Sequence, residues 1–182
     1  MRKNSARELT MAAMLGAAYA VLTMVLPIPQ YGGVQIRLAE ALTVLPFLFP
    51  FATPGLFVGC LIANLLSPYG LLDVVTGSAA TLIACLWTQR LKNRWLAPLP
   101  AVICNAVIVG AVVAFAQTGG GAAFWPAYAF NAFTVGLGEL IASVFLGTML
   151  LSFLPKIPTF RALMPADRLA LMADKRNVEF QV

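Results

Sequence analysis

Six apolar stretches follow one another along this chain, at residues 9–26, 38–52, 55–66, 71–88, 96–116 and 127–153, with only short breaks between them. A water-soluble core needs a polar shell, and a chain that is 60% hydrophobic and 10% charged has too few polar residues to build one. The sequence therefore reads as an all-α integral membrane protein. Turn residues mark the breaks: Pro27, Pro29, Gly32 and Gly33 end the first stretch, Pro50, Pro54 and Gly55 split the next two, Pro68 and Gly70 precede the fourth, and Gly119 to Gly121 separate the last pair. The first stretch, with Arg2, Lys3 and Arg7 ahead of it and Ala18-Tyr19-Ala20 inside it, has the outline of a secretory signal. It runs on past that small-residue triplet to Leu26, however, and is long enough to span a bilayer.

Charge then sets the topology. The formal charge of +5 would suggest nucleic acid in a soluble protein, but here the basic residues cluster at segment ends, as membrane orientation demands. Arg2, Lys3 and Arg7 precede the first stretch, Arg90, Lys92 and Arg94 follow the fourth, and Lys156, Arg161, Arg168, Lys175 and Arg176 follow the sixth. Placing all three clusters in the cytoplasm requires an even number of crossings between residues 8 and 90, so the 38–66 region cannot be one long helix. Its two halves are short for a hydrocarbon layer about 30 Å thick at about 1.5 Å per residue. Two short spans or a hairpin re-entering from the outer face both satisfy the count, and six crossings is the reading adopted here. It gives a six-helix bundle with both termini cytoplasmic, one transmembrane domain over 1–154, a basic cytoplasmic tail over 155–182, and outer connections at 27–37, 67–71 and 117–126. A cysteine placed at Ala52 or Thr53 should then react from the cytoplasmic side.

Several chemistries lack support. The chain has no histidine, and Cys60, Cys85 and Cys104 each stand alone on a different apolar stretch, so disulfides, zinc and histidine catalysis have no basis and no cofactor is called for. A glycine-rich phosphate loop ending in Gly-Lys-Ser/Thr is missing, so uphill transport would draw on a partner or an ion gradient. No inverted repeat of the kind found in self-sufficient transporters is evident.

The polar residues inside the apolar body carry what function there is. Arg37 is the one basic residue outside the three clusters, in the run Gln35-Ile36-Arg37-Leu38-Ala39-Glu40. A charge near hydrocarbon costs at least a few kcal/mol, so Arg37 and Glu40 need a partner or a role. As an i, i+3 pair they could simply neutralise one another. Asp73 opens the fourth helix, where capping alone would explain it, with a ligand role as the alternative. Glu139, in Gly136-Leu137-Gly138-Glu139, lies about 18 Å below the outer end of its helix at helical rise and shares that depth with no basic residue. It needs donors to stay ionised, and it is either a neutral acid bonded across the bundle, to Asn105 for instance, or a ligand acceptor; the second is favoured. Asn131, eight residues earlier, roughly shares its face. Gln35, Asn64 and Asn105 add amides that could be interhelical glue or the wall of a polar cavity. Trp125, Phe124, Tyr128 and Tyr69 fit an interfacial aromatic belt, from which Trp125 could still stack on a flat ligand. On the first helix, Ala13/Ala17 and Ala12/Gly16/Ala20 form two rows of small residues suited to close helix packing.

With these segments in view, the chain resembles the QueT family, substrate-capture subunits of energy-coupling factor importers. The resemblance is carried by 34–46 (Val-Gln-Ile-Arg-Leu-Ala-Glu-Ala-Leu-Thr-Val-Leu-Pro), 54–65 (Pro-Gly-Leu-Phe-Val-Gly-Cys-Leu-Ile-Ala-Asn-Leu), Leu72-Asp73-Val74-Val75-Thr76-Gly77-Ser78, Asn105-Ala106-Val107-Ile108-Val109-Gly110 and Gly136 to Glu139. It implies six helices, cytoplasmic termini, a pocket near the outer face of the cell membrane, and a complex with one membrane-embedded coupling subunit and two ATPase subunits. It also implies that Ala13 and Ala17 form the docking face for the coupling subunit, and that the cargo is a queuosine precursor, a 7-deazaguanine with a cyano or aminomethyl group. Gln35, Arg37, Glu40, Asn64, Asp73, Asn105, Trp125, Asn131 and Glu139 are the candidate binding residues. The glycine-rich segment Gln117 to Ala123 and the basic tail depart from the family pattern. Two other classes compete: an ion-coupled carrier acting alone with Glu139 or Asp73 as a proton site, and an intramembrane enzyme using Glu40 and Glu139 as acid and base, which lacks any accompanying nucleophile or metal set.

Overall fold

In the computed structural model, which describes residues 6–26, 31 and 35–173, the fold is helical from end to end. Helix α1 covers Ala6–Val25, a 3₁₀ helix covers Leu38–Phe47, α2 covers Ala52–Asn64 and α3 covers Leu71–Thr88. Helix α4 runs over Arg94–Thr118 and α5 over Phe124–Lys156, followed by the short α6, Pro158–Arg161, and α7, Ala166–Ala173. Four of these, α1, α3, α4 and α5, are long and apolar enough to cross a membrane.

Local sequence explains the boundaries. Gly70 adopts φ 61°, a left-handed conformation that opens the way into α3, and Gly119 closes α4 at φ 65° with its N–H on the Phe115 carbonyl at 2.8 Å. The Asn93 side chain accepts from the Trp95 N–H at 3.0 Å and starts α4. Pro27, Pro29, Gly32 and Gly33 lie outside the described residues. Pro54 and Gly55 do not break the chain as expected but sit within α2, the turn being confined to Leu48–Phe51.

The region expected to be a second α-helix is instead the 3₁₀ helix, which ends at Phe47 with Pro46 inside it. Of its ten residues only Leu38 and Leu42 are even partly exposed. Protein surrounds it: α1, α3 and the second half of α5 pack on it. Ten residues at about 2.0 Å per residue reach about 20 Å, as do the thirteen of α2 at about 1.5 Å, so the two short segments match in length. Enclosure is what makes such a backbone tolerable, because no lipid tail meets its weakly bonded carbonyls.

Helix α1 meets α2 backbone to backbone. A Cβ added to Gly16 would land on the Gly55 carbonyl, one on Gly55 would land on the Ala12 carbonyl, and one on Gly59 would land on the Gly16 carbonyl. The row Ala12/Gly16/Ala20 is thereby buried, whereas Ala13 and Ala17 remain exposed on the neighbouring face.

Two ends can be told apart. At one, Thr53 Oγ1 donates to Gln89 Oε1 at 3.3 Å, and the Phe49 ring lies 6.3 Å from that of Phe160. The segment after α5 folds against this end: Met164 is buried in the core, and Arg168 donates to the carbonyls of Leu91, at 3.3 Å, and Gln89. At the other end, the Tyr31 hydroxyl donates to the Ala63 carbonyl at 2.7 Å. The 3₁₀ helix leads from the Tyr31 end to the Gln89 end, and α2 leads back. Ala52 and Thr53 are buried, which makes them poor labelling sites, whereas Pro50 is partly exposed. With Cys60, Cys85 and Cys104 replaced, a cysteine at Pro50 should react from the same membrane side as one at Lys92 and from the side opposite to one at Ala122. Labelling of Pro50 from the Ala122 side would mean that the pair dips in and returns.

Candidate binding recess

Arg37 is the last extended residue, φ −99° and ψ 100°, before the 3₁₀ helix begins. Among the described residues its ion pair is with Asp73, Nη2 to Oδ2 3.8 Å, both side chains being almost fully buried, and its guanidinium lies 5.1 Å from the centre of the Tyr31 ring. Asp73 sits in the first turn of α3, yet it does not cap the helix; its Oδ2 accepts from Ser67 Oγ at 2.6 Å. Arg37 thus attracts Glu40 and also pairs with Asp73, and the Asp73 carboxylate bonds Ser67 instead of capping α3.

Glu40 is fully buried one turn further on. Its Oε1 accepts from the Tyr19 hydroxyl of α1, and its backbone carbonyl accepts from Thr43 Oγ1 at 2.6 Å and Ser143 Oγ at 3.3 Å. The Tyr19 hydroxyl also approaches Cys60 Sγ at 3.5 Å, which contacts Thr81 Oγ1 at 3.2 Å. Asn64 Nδ2 points at the same sulfur at 3.4 Å and at the Asp73 carbonyl at 3.3 Å. A run of polar contacts thus links α1, the 3₁₀ helix, α2 and α3.

The opposite wall comes from α4 and α5. Gly138 has no room for a side chain, since a Cβ there would fall on the Gln35 carbonyl, and this contact seats the 35–37 segment on α5 next to Glu139. Asn105 lies beside both Glu40 and Glu139, and the two carboxylates are close enough to repel one another while Arg37 attracts both. Each of these acids and amides is at most 4% exposed. Both helices are irregular here, with π-helical turns over Asn105–Val109 and Leu140–Gly147, a distortion frequent at functional sites.

Gln35, Arg37, Glu40, Asn64, Asp73, Asn105 and Glu139 are therefore gathered by five different parts of the chain. Several of their buried acceptors have no donor within hydrogen-bond geometry among the described residues: Gln35 Oε1, Glu40 Oε2, Asn64 Oδ1, Asp73 Oδ1 and Glu139 Oε2. Leaving one such group unpaired costs about 1–3 kcal/mol, and native structures carry few of them. These atoms lie on side chains that the fold brings into one buried polar cluster.

Two candidates stand apart. Asn131 is buried but donates to Gln117 Oε1 and to the Ala127 carbonyl, both at 2.8 Å, which ties the end of α4 to α5. Trp125 is 69% exposed and packs edge-on against Phe124 and Tyr128, so it belongs to an aromatic group at the start of α5. Sequence reasoning missed Tyr19, Cys60, Ser67, Thr81 and Ser143. Only Tyr19 offered a signal, a hydroxyl-bearing ring in the middle of an apolar helix that has to find a partner once buried.

Residues 9–156 match the profile of the QueT transporter family. The chain belongs to that family. A relative in Lactococcus lactis subsp. cremoris (strain MG1363), the queuosine precursor transporter QueT, is 32% identical over 85 residues, which is 46% of this chain and 50% of that protein. The aligned region thus spans half the length of the curated relative. No solved structure matches the chain. The family match covers all the recess residues and leaves out only the ends.

The Arg37–Asp73 pair makes a direct prediction, because removing one partner strands a buried charge. Asp73→Ala should destabilise the protein by about 3–5 kcal/mol. Thermal unfolding in detergent measures it, and an unchanged midpoint would show that Arg37 is held by other groups.

Proposed function

We propose that this protein is the substrate-capture subunit of an energy-coupling factor importer, binding a 7-deazaguanine queuosine precursor in the recess and passing it inward with a coupling subunit and two ATPase subunits. The observation that carries the reading is the set of unpaired, buried acceptors around Glu40 and Glu139. A guanine-like ring offers adjacent ring and exocyclic N–H donors that a carboxylate accepts in parallel, and its carbonyl oxygen is matched by Asn105 Nδ2 or Arg37. Membership of the QueT transporter family and the name carried by the Lactococcus relative support the same cargo. Glu139 is assigned to the paired donors, with Glu40 beside it.

The exposed Ala13 and Ala17 support the partnership. They line an apolar groove of about 380 Å³ between α1 and α2, together with Pro54, Gly55 and Val58. Small residues let a second helix come close in lipid, where packing rather than the hydrophobic effect drives association. The coupling subunit is assigned to this groove.

Calorimetric titration of the purified chain with the cyano and aminomethyl compounds tests the capture step. Wild type should bind at least one of them, and Glu139→Gln, which keeps the shape but loses the anion, should weaken binding by at least a few kcal/mol. Unchanged affinity in that variant would remove Glu139 from the site. Uptake by vesicles separates the partnership from the alternative of an ion-coupled carrier. The chain alone should not accumulate ligand, and Ala17→Trp should leave binding intact while abolishing ATP-driven uptake by the assembled complex. Gradient-driven accumulation by the chain alone would instead select the carrier, with Glu139 or Asp73 as its proton site.

A further inference from the structure

Tyr19 is fully buried in the middle of α1, yet neither charge nor helix packing requires a hydroxyl there. The small residues Ala12 and Gly16, not Tyr19, make the close contact with α2. What the Tyr19 hydroxyl does is donate to Glu40 Oε1. Glu40 Oε2 is left without a donor among the described residues, in a site where its neighbours Glu139 Oε2 and Gln35 Oε1 are in the same condition. Glu40 therefore presents one oxygen that is already engaged and one that is not.

We infer that Tyr19 is a positioning residue for ligand recognition: by occupying Glu40 Oε1 it fixes the carboxylate so that Oε2 alone faces the guest. The inference rests on the capture reading given above. Its chemical consequence is a limit on the donor pattern. With one Glu40 oxygen taken, the pair Glu40 and Glu139 matches a guest that brings a donor pair to one acid and a further single N–H to the other. Freeing Oε1 removes that restriction and also leaves a second carboxylate oxygen unpaired in a dry site, which favours rotation of the side chain away from the guest. The surrounding contacts help to hold the ring, since the Tyr19 hydroxyl also lies 3.5 Å from Cys60 Sγ, itself anchored on Thr81.

Tyr19→Phe keeps the ring and removes the donor, so a purely structural tyrosine would tolerate it. The test is a double-variant cycle, Tyr19→Phe and Glu40→Gln singly and together, read by calorimetric titration with 7-aminomethyl-7-deazaguanine and with its analogue lacking the exocyclic 2-amino group. Tyr19→Phe should weaken binding of the first compound about tenfold or more, as expected for a charge-assisted hydrogen bond that aims the acceptor. It should also shrink the preference for the 2-amino compound over its analogue. The double variant should bind no worse than Glu40→Gln alone, because both changes act on one carboxylate. Additive losses, or an affinity ratio between the two compounds that does not move, would overturn the inference while leaving the capture reading in place. If wild type binds neither this compound nor its cyano counterpart, the capture reading fails and the inference with it. Thermal unfolding of each variant accompanies the titrations, and loss of binding matched by loss of the folded state would assign Tyr19 to stability and overturn the inference.

Discussion

One buried cation sets the terms for this structure. Arg37 is almost fully buried in an apolar bundle, and it is held by Asp73 from another helix and by the face of Tyr31. A charge in such a place persists only if protein, not lipid, surrounds it. The chain meets that demand by carrying Arg37 on the threshold of a segment that is mostly enclosed by protein, the 3₁₀ helix. Glu40 then lies within the same enclosure, and Glu139 and Asn105 come to it from the far wall. The long helices can be read as the wrapping that keeps this short segment dry.

The wrapping depends on close approach, which explains the uneven use of small residues. On α1 one row of them disappears into contact with Gly55 and Gly59, where even a methyl group would collide with a carbonyl. The adjacent pair, Ala13 and Ala17, is left outside. One helix thus brings Tyr19 to the recess, glycine to its neighbour and alanine to the surroundings. Tight packing of α1 on α2 also fixes where Tyr19 stands relative to Cys60, so the acceptor geometry of Glu40 inherits its precision from the Gly16–Gly59 backbone contact less than one turn away.

Much of this was legible in the residues. The apolar stretches located the four long helices to within several residues, because long apolar runs are the strongest signal a membrane chain carries. The 38–66 region, expected not to be one long helix, is two helical segments joined by the Leu48–Phe51 turn. What the pattern could not show was the 3₁₀ form of the second segment, since Leu38–Phe47 has the composition of any apolar helix and its conformation is imposed by the elements around it. The polar residues were picked out by their rarity, which was enough to collect Gln35, Arg37, Asn64, Asp73, Asn105 and Glu139. Rarity says nothing about direction. In three dimensions Asn131 Nδ2 ties α4 to α5 and Trp125 stands exposed beside Phe124 and Tyr128. Tyr19 was overlooked for the converse reason: aromatic rings are common in spans, and only its hydrogen bond sets it apart.

The two kinds of helical irregularity belong together. A 3₁₀ helix is narrower than an α-helix and a π-helical turn is wider, and here Leu38–Phe47 packs along the π-helical stretch Leu140–Gly147. Ser143, inside that stretch, donates to the Glu40 carbonyl, a group that the weaker 3₁₀ bonding leaves available. Gly147 admits Val44, whose Cγ1 would stand only 2.7 Å from an added Cβ. The same widening begins immediately after Glu139, and its counterpart in α4 begins at Asn105, so each wall of the recess loses its regular register where it presents a polar side chain. Regular α-helices in these places would satisfy their own backbone groups more fully, and the frequency of such distortions at functional sites gives the reason to forgo that. The two distortions thus begin at Asn105 and directly after Glu139, the two residues of this cluster that α4 and α5 contribute, and Glu139 carries a buried acceptor with no donor among the described residues.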